Sequence, residues 1–233
     1  MANAAEESLH LERAMAKRTS GLPVKPVSDD ELRALLRRHE CSVPFHAVRT
    51  RFLGNIASPA MSASPIKVME GLWGGELPAF DSLDDGNELI GSLIAGLWNR
   101  LTRHQDRSTP FRLTRIDAAP TRGGLSTLAT MRGEELDGFF EGLFGNEESV
   151  ELPERAHRGL ANLAEIRAMF AAVLDAASDD GIAGTEKDRQ TTLQLTRTMT
   201  RNAEHEMHEI VLSCVRARRQ FLSTLPSRRP TLH

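Results

Sequence analysis

Tyrosine is absent from this chain, and aromatic residues of every kind make up 5% of its 233 positions. A sheet protein draws heavily on aromatic and β-branched side chains, so the shortage argues against a β architecture. Cysteine occurs twice, as Cys41 and Cys214, far apart in the sequence. That excludes a disulfide framework and suits a reducing compartment. No apolar run approaches the roughly 18 residues of a membrane span. The opening MANAAEESLHLERAMAKR sets acids where a signal peptide needs a basic region and then an apolar run. Both absences lead to the expectation of a cytoplasmic protein with no membrane contact. An excess of positive charge is missing too: 29 Lys and Arg stand against 32 Asp and Glu, for a net charge of -3. The global basic field of a nucleic-acid binder is therefore lacking. No nucleophile–base pair, Walker-type loop or full set of metal ligands can be read from the spacing, and no cofactor is expected.

What is present favours helix. Ala, Leu, Arg and Glu dominate and all are good helix formers, while a hydrophobic share of 40% allows a substantial core. Ser28-Asp-Asp-Glu31 reads as a capping box before Leu32, Leu35 and Leu36, with the helix ending near His39. Pro44 to Ile56 is a weaker helical segment, and Ala57 to Pro65 a turn. Pro65 suits a first helical position ahead of Ile66, Met69 and Leu72, and Gly74-Gly75 ends that helix. Asp84 or Asp85 starts the next, where Leu89, Leu93, Ile94, Leu97 and Leu101 repeat in steps of three and four. Arg100, Arg103 and His104 fall at its exposed end. Residues 105–132 carry no regular pattern, apart from a short candidate strand at Phe111–Ile116. Glu134 to Phe144 and Leu160 to Ala177 read as helices.

The last helix is long, from about Thr185 to Leu225. Thr185 can cap it, Asp188 suits its positive end, and Pro226 stops it. The pattern predicts an all-α, multi-helix bundle-like domain with a long C-terminal helix. It divides into an N-terminal arm (1–27), a central helical domain (28–182), the long helix (183–226) and a tail (227–233).

Three groups of residues have recognisable order and spacing: Pro65, Trp73-Gly74-Gly75, Pro78 and Phe80; then Trp98-Asn99; then Gly133-Glu-Glu135 and Gly138-Phe-Phe-Glu-Gly142. Over about Phe52 to Ala177 they resemble the uncharacterised bacterial YecA/YgfB-like family. The resemblance implies an all-α fold and no catalytic residues, because that family has none established. This chain has Val68 where the family usually has Trp, and Leu136 where it often has Trp. Many members also carry a small cysteine-rich zinc motif, for which this sequence has no cysteines to spare, so zinc is not carried over.

Glu204-His205-Glu206-Met207-His208-Glu209 is the densest cluster of metal-ligand types. On a helix His205 and Glu209 share a face, as do Glu204 and His208. The spacing is not His-Glu-x-x-His, and one helix supplies two or three ligands at most, so a solvated charged face explains it more simply. His39, Cys41 and His46 form a looser group of thiol and imidazole types. Trp73, Phe80 and Trp98 are expected to pack around the Gly74-Gly75 turn. Gly123-Gly124 fits no phosphate loop. Arg216, Arg218, Arg219, Arg228 and Arg229 make the C-terminus basic.

The strongest functional signal is the stripe Ala203, Met207, Ile210, Cys214, Ala217 and Phe221, stepping four and three like a coiled-coil seam. Packing on the protein's own core needs the same stripe. The mixed upstream half (Thr192, Thr196, Thr200, Arg189, Arg197, Arg201) favours a helix that outruns its domain. The sequence thus points to a non-catalytic interaction or adaptor protein, a homo-oligomer or partner binder through Met207, Ile210, Cys214, Ala217 and Phe221. Two alternatives stand beside it. One is a metal-dependent enzyme using Glu204, His205, His208 and Glu209. The other is a regulator touching nucleic acid through the C-terminal arginines.

Overall fold

In a computed structural model, described for residues 27–60, 63–145, 150–178 and 185–224, seven helices enclose one main core. They are α1 (Asp29–Arg38), α2 (Phe45–Ala57), α3 (Pro65–Leu72), α4 (Leu83–Gly91), α5 (Arg122–Phe144), α6 (Glu154–Ser178) and α7 (Glu186–Thr224). No strand occurs among the described residues. The arm, apart from Val27, and the tail lie outside them.

Local chemistry sets several boundaries as expected. Ser28 Oγ accepts from the Glu31 N–H while the Glu31 carboxylate accepts from the Ser28 N–H, completing the capping box of α1. Thr185 and Asp188 exchange the same bonds at the start of α7. Ser64 caps α3 ahead of Pro65. Ser82, rather than Asp84 or Asp85, caps α4, and the two acids sit inside its first turn, where the helix dipole favours them. Gly74 and Gly75 take φ of 84° and 119°, open only to glycine without strain.

α2 is the centre of the molecule. It packs on α5, α5 on α6, α6 on α7, and α7 returns to α2; α1, α3 and the segment Ser92–Leu101 that follows α4 also pack around α2. Ten of its thirteen residues are buried, so it is enclosed nearly all round, and its apolar residues form no one-sided stripe. That is why it reads weakly as sequence. Its contact with α5 is backbone on backbone. A Cβ on Gly54 would overlap the Phe139 carbonyl oxygen, one on Gly142 the Arg51 carbonyl oxygen, and one on Gly138 would sit 2.6 Å from the Ala47 oxygen. The Gly138-Phe-Phe-Glu-Gly142 signature is thus a close-approach surface, with Phe139 fully buried beside it.

Residues 105–132 correct the sequence expectation twice. First, α5 starts at Arg122, runs through Gly123-Gly124, and is 23 residues long. Second, Phe111–Ile116 forms neither strand nor helix. Its backbone is held by side chains instead. The Leu113 N–H donates to Glu204 at 3.0 Å and the Thr114 N–H to Glu135 at 2.7 Å, while the Thr114 carbonyl accepts from Arg132 at 2.7 Å and the Arg112 carbonyl from Arg49 at 3.3 Å. Arg132 also pairs with Glu135 inside the core. The result is a strap tied across α5 and α7. His104, expected to be exposed, is buried, its Nδ1–H donating to the Thr109 carbonyl at 2.8 Å.

α4 continues without a break into a π-helical stretch, Ser92–Trp98, and a last α-turn, Asn99–Leu101. The wider π turn occurs over small residues, Gly91, Ser92, Ala95 and Gly96, and Val27 packs against Gly96. Arg100, just beyond, ties the chain entry down through the Val27 carbonyl and Asp29.

Candidate functional site

α7 carries most of the residues singled out by sequence, and the structure distributes them in ways that the pattern alone did not reveal. Met207, Ile210 and Cys214 are fully buried in the chain's own core. Ile210 lies against the α6 backbone at Gly159, where a Cβ would come within 2.8 Å of it. This corrects the expectation that these three face another subunit: α6 occupies that place. Ala217 is half-buried, while Phe221 is 53% exposed and its neighbour Leu222 46%. The seam therefore splits into a buried lower part and an open upper end.

The Glu-His-Glu cluster is also divided. Glu204 is turned to the strap, bonded to Arg112 and the Leu113 N–H. Glu206 accepts from Arg155 at 2.7 Å and Asn162 at 3.0 Å, and Glu209 lies 3.8 Å from Arg155. His205 is exposed, and His208 is buried with both ring nitrogens unpartnered. Burial holds the His208 imidazole below its ordinary pKa, and the positive groups of His205 and Arg107 push the same way; the Arg107 backbone and Glu209 oppose them. Among the described residues no three His, Cys, Asp or Glu side chains converge as a metal site. His39, Cys41 and His46 are likewise held apart. His39 faces Asp85 at 3.4 Å, His46 bonds Glu134 at 2.7 Å, and the Cys41 thiol turns to the Val43 carbonyl. Burial raises the pKa of that thiol, the reverse of an activated nucleophile.

Among the C-terminal arginines, Arg218 is structural. Its guanidinium donates to the Ile56 and Ser58 carbonyls at 3.2 and 3.1 Å, closing the C-terminal end of α2. Arg216 and Arg219 are exposed and border a shallow groove with Gln105, Arg107, Leu212 and Val215. Arg228 and Arg229 lie outside the described residues.

Trp73, Phe80 and Trp98 all pack against the main core, and each is partly rather than fully buried. Both indoles serve as donors at fixed points. Trp73 Nε1–H donates to the His39 carbonyl at 2.7 Å, capping α1. Trp98 Nε1–H donates to Asn55 Oδ1 at 3.2 Å. Asn55 borders a cleft of about 440 Å3 between the end of α2, the first turn of α3, the Gly74-Gly75 turn and the end of α5. Most of the signature glycines lie at its walls. Sequence reading missed this site, and its only trace was a polar residue, Asn55, among the apolar residues near the end of α2.

No protein-family model, curated protein or solved structure matches the chain. Among the described residues no helix is long and apolar enough to cross a membrane.

Proposed function

We infer that the protein is a non-catalytic interaction or adaptor module that self-associates through the end of α7. The observation that carries this is the exposure of Phe221 and Leu222. α7 spans about 58 Å at 1.5 Å per residue, and residues 219–224 are all exposed. A solvent-bathed helix end gains nothing by displaying a Phe and a Leu, but a second copy laid antiparallel would cover both. The adjoining groove, with Leu212 and Val215 in its wall, offers the complementary surface. Kinship with the YecA/YgfB-like family belongs to the same proposal, supported by the turn and glycine-helix residues, and it adds no activity.

The test is disruption of the contact by an introduced charge: light scattering over a range of concentrations on wild type, Phe221→Glu and Leu222→Glu. Wild type should associate and both variants should be folded monomers. Wild type that stays monomeric at high micromolar concentration overturns self-association. Raising salt should strengthen the contact, because Arg216 and Arg219 of two copies would repel across it.

A second reading, contact with nucleic acid, has Arg103, Arg107, Arg216 and Arg219 in its favour, all exposed near one end of the molecule. Such binding would weaken steeply with salt, the opposite sign.

A further inference from the structure

Asn55 is 94% buried by the complement of its 6% exposure, and its amide orientation is dictated. An indole N–H can only donate, so Trp98 fixes Asn55 Oδ1 toward itself and turns the NH2 the other way. That NH2 has no hydrogen-bond partner among the described residues. It is also not sealed off, since His208 supplies the only buried side-chain polar atoms without a partner among the described residues. The open space that Asn55 borders is the cleft beside α3.

One turn along α2, Ser58 is 3% exposed and borders the same cleft. Its Oγ accepts from the Ala60 N–H at 3.4 Å, leaving its hydroxyl hydrogen unused. Facing them is the first turn of α3, where Ser64 takes the Ile66 N–H and no bond takes up the Lys67 N–H. The Lys67 ammonium and the Glu70 carboxylate both border the cleft and have no ion-pair partner among the described residues, whereas Arg51 and Glu141 neutralise each other at 3.1 Å. The walls between are Val68, Phe144 and glycine backbone.

The unused groups that border this one cleft are donors, a cation, a carboxylate one helical turn along α3 from that cation, and an apolar wall. A dianion such as phosphate would meet Glu70 unbalanced. A neutral molecule would leave both charges unanswered. A zwitterion answers both. We propose that this cleft binds a free α-amino acid with an apolar side chain. Its carboxylate is received by Asn55 Nδ2, Ser58 and Lys67, its ammonium by Glu70, and its side chain by Val68 and Phe144. The volume, about 440 Å3, lies in the range of small-molecule sites.

The experiment follows 1H–15N NMR of the full chain, including the Asn55 side-chain amide, during titration with leucine, 4-methylpentanoate, 3-methylbutylamine and inorganic phosphate. Leucine should shift the Asn55 amide saturably, and loss of either charged group from the ligand should weaken binding at least about tenfold. Lys67→Gln should cost leucine affinity while leaving the amine unaffected. Glu70→Gln should abolish the preference of leucine over 4-methylpentanoate. Lys67 is exposed, Glu70 is partly so, and neither is paired among the described residues, so the variants should melt as wild type does. The proposal is overturned if leucine gives no saturable shift up to about 50 mM, if 4-methylpentanoate binds wild type as well as leucine does, or if phosphate alone occupies the site.

Discussion

The carbonyl oxygen of Arg51 on α2 occupies the position that a β-carbon on Gly142 of α5 would need. In an ordinary helix Gly→Ala is worth about 1 kcal/mol of added stability. Here the added methyl meets backbone, which cannot rotate away. Gly142→Ala should destabilise the protein by at least about 1–3 kcal/mol, read as a lower urea midpoint. A more stable variant would show that α2 and α5 are further apart.

Ile210→Glu should unfold the chain rather than dissociate it. Ile210 is fully buried against α6, and an unpaired carboxylate placed there loses its hydration with nothing in return. Circular dichroism decides the matter, since a helical monomer would return the lower seam to an intersubunit role.

Glu204→Ala should loosen the strap. The Leu113 N–H would lose its acceptor in a buried place, at a cost of about 1–3 kcal/mol. Hydrogen exchange at Leu113 should accelerate before exchange at the centre of α2 does. Uniform acceleration would mean that the strap and bundle open as one unit.

Stability should fall on mild acidification. Burial depresses the pKa of both His104 and His208; Arg103, His208 and Arg49 add to this at His104, and His205 and Arg107 at His208, while the Thr109 carbonyl opposes it at the first and the Arg107 backbone and Glu209 at the second. Above the unfolded pKa, about 6.5, both states are neutral and pH has no leverage through these groups. Below it the unfolded chain binds protons first, so stability drops as pH falls and levels off once the folded histidines titrate. Melting temperatures between pH 7.5 and 5 should show this slope. His208→Phe should reduce the slope, and an unchanged slope would place its origin elsewhere.

EDTA should leave helix content and melting temperature unchanged, because among the described residues no three His, Cys, Asp or Glu side chains converge on one point. A fall of several degrees would revive a metal-dependent reading.

Those parts of the fold decided within one turn were legible in the sequence. Ser28 with Glu31 and Thr185 with Asp188 need only each other, and Gly74-Gly75 needs only its own backbone. The stripe from Met207 to Phe221 was legible as a period but not as an address, since apolar spacing is the same whether α6 or another chain covers it. The strap was illegible for a different reason. Leu113 and Thr114 bond to Glu204 and Glu135, 91 and 21 residues away, and no local pattern announces such a partner. His104 illustrates the same gap: a polar residue at a helix end reads as solvated until a loop closes over it. Asn55 is the extreme case. Its importance rests on Trp98, 43 residues on, and on the turn that brings α3 beside it.

Cys214 sits at 0% exposure on the inner face of α7, and its burial pushes the thiol pKa up to about 12 despite the nearby Arg218. At neutral pH it is therefore neither ionised nor reachable while α7 is seated. Each modification event on that sulfur must wait for the helix to lift, which makes the native chain carry its own stopwatch. The labelling rate of Cys214 counts the openings of α7, while half-buried Cys41 beside it in the same tube supplies an internal reference.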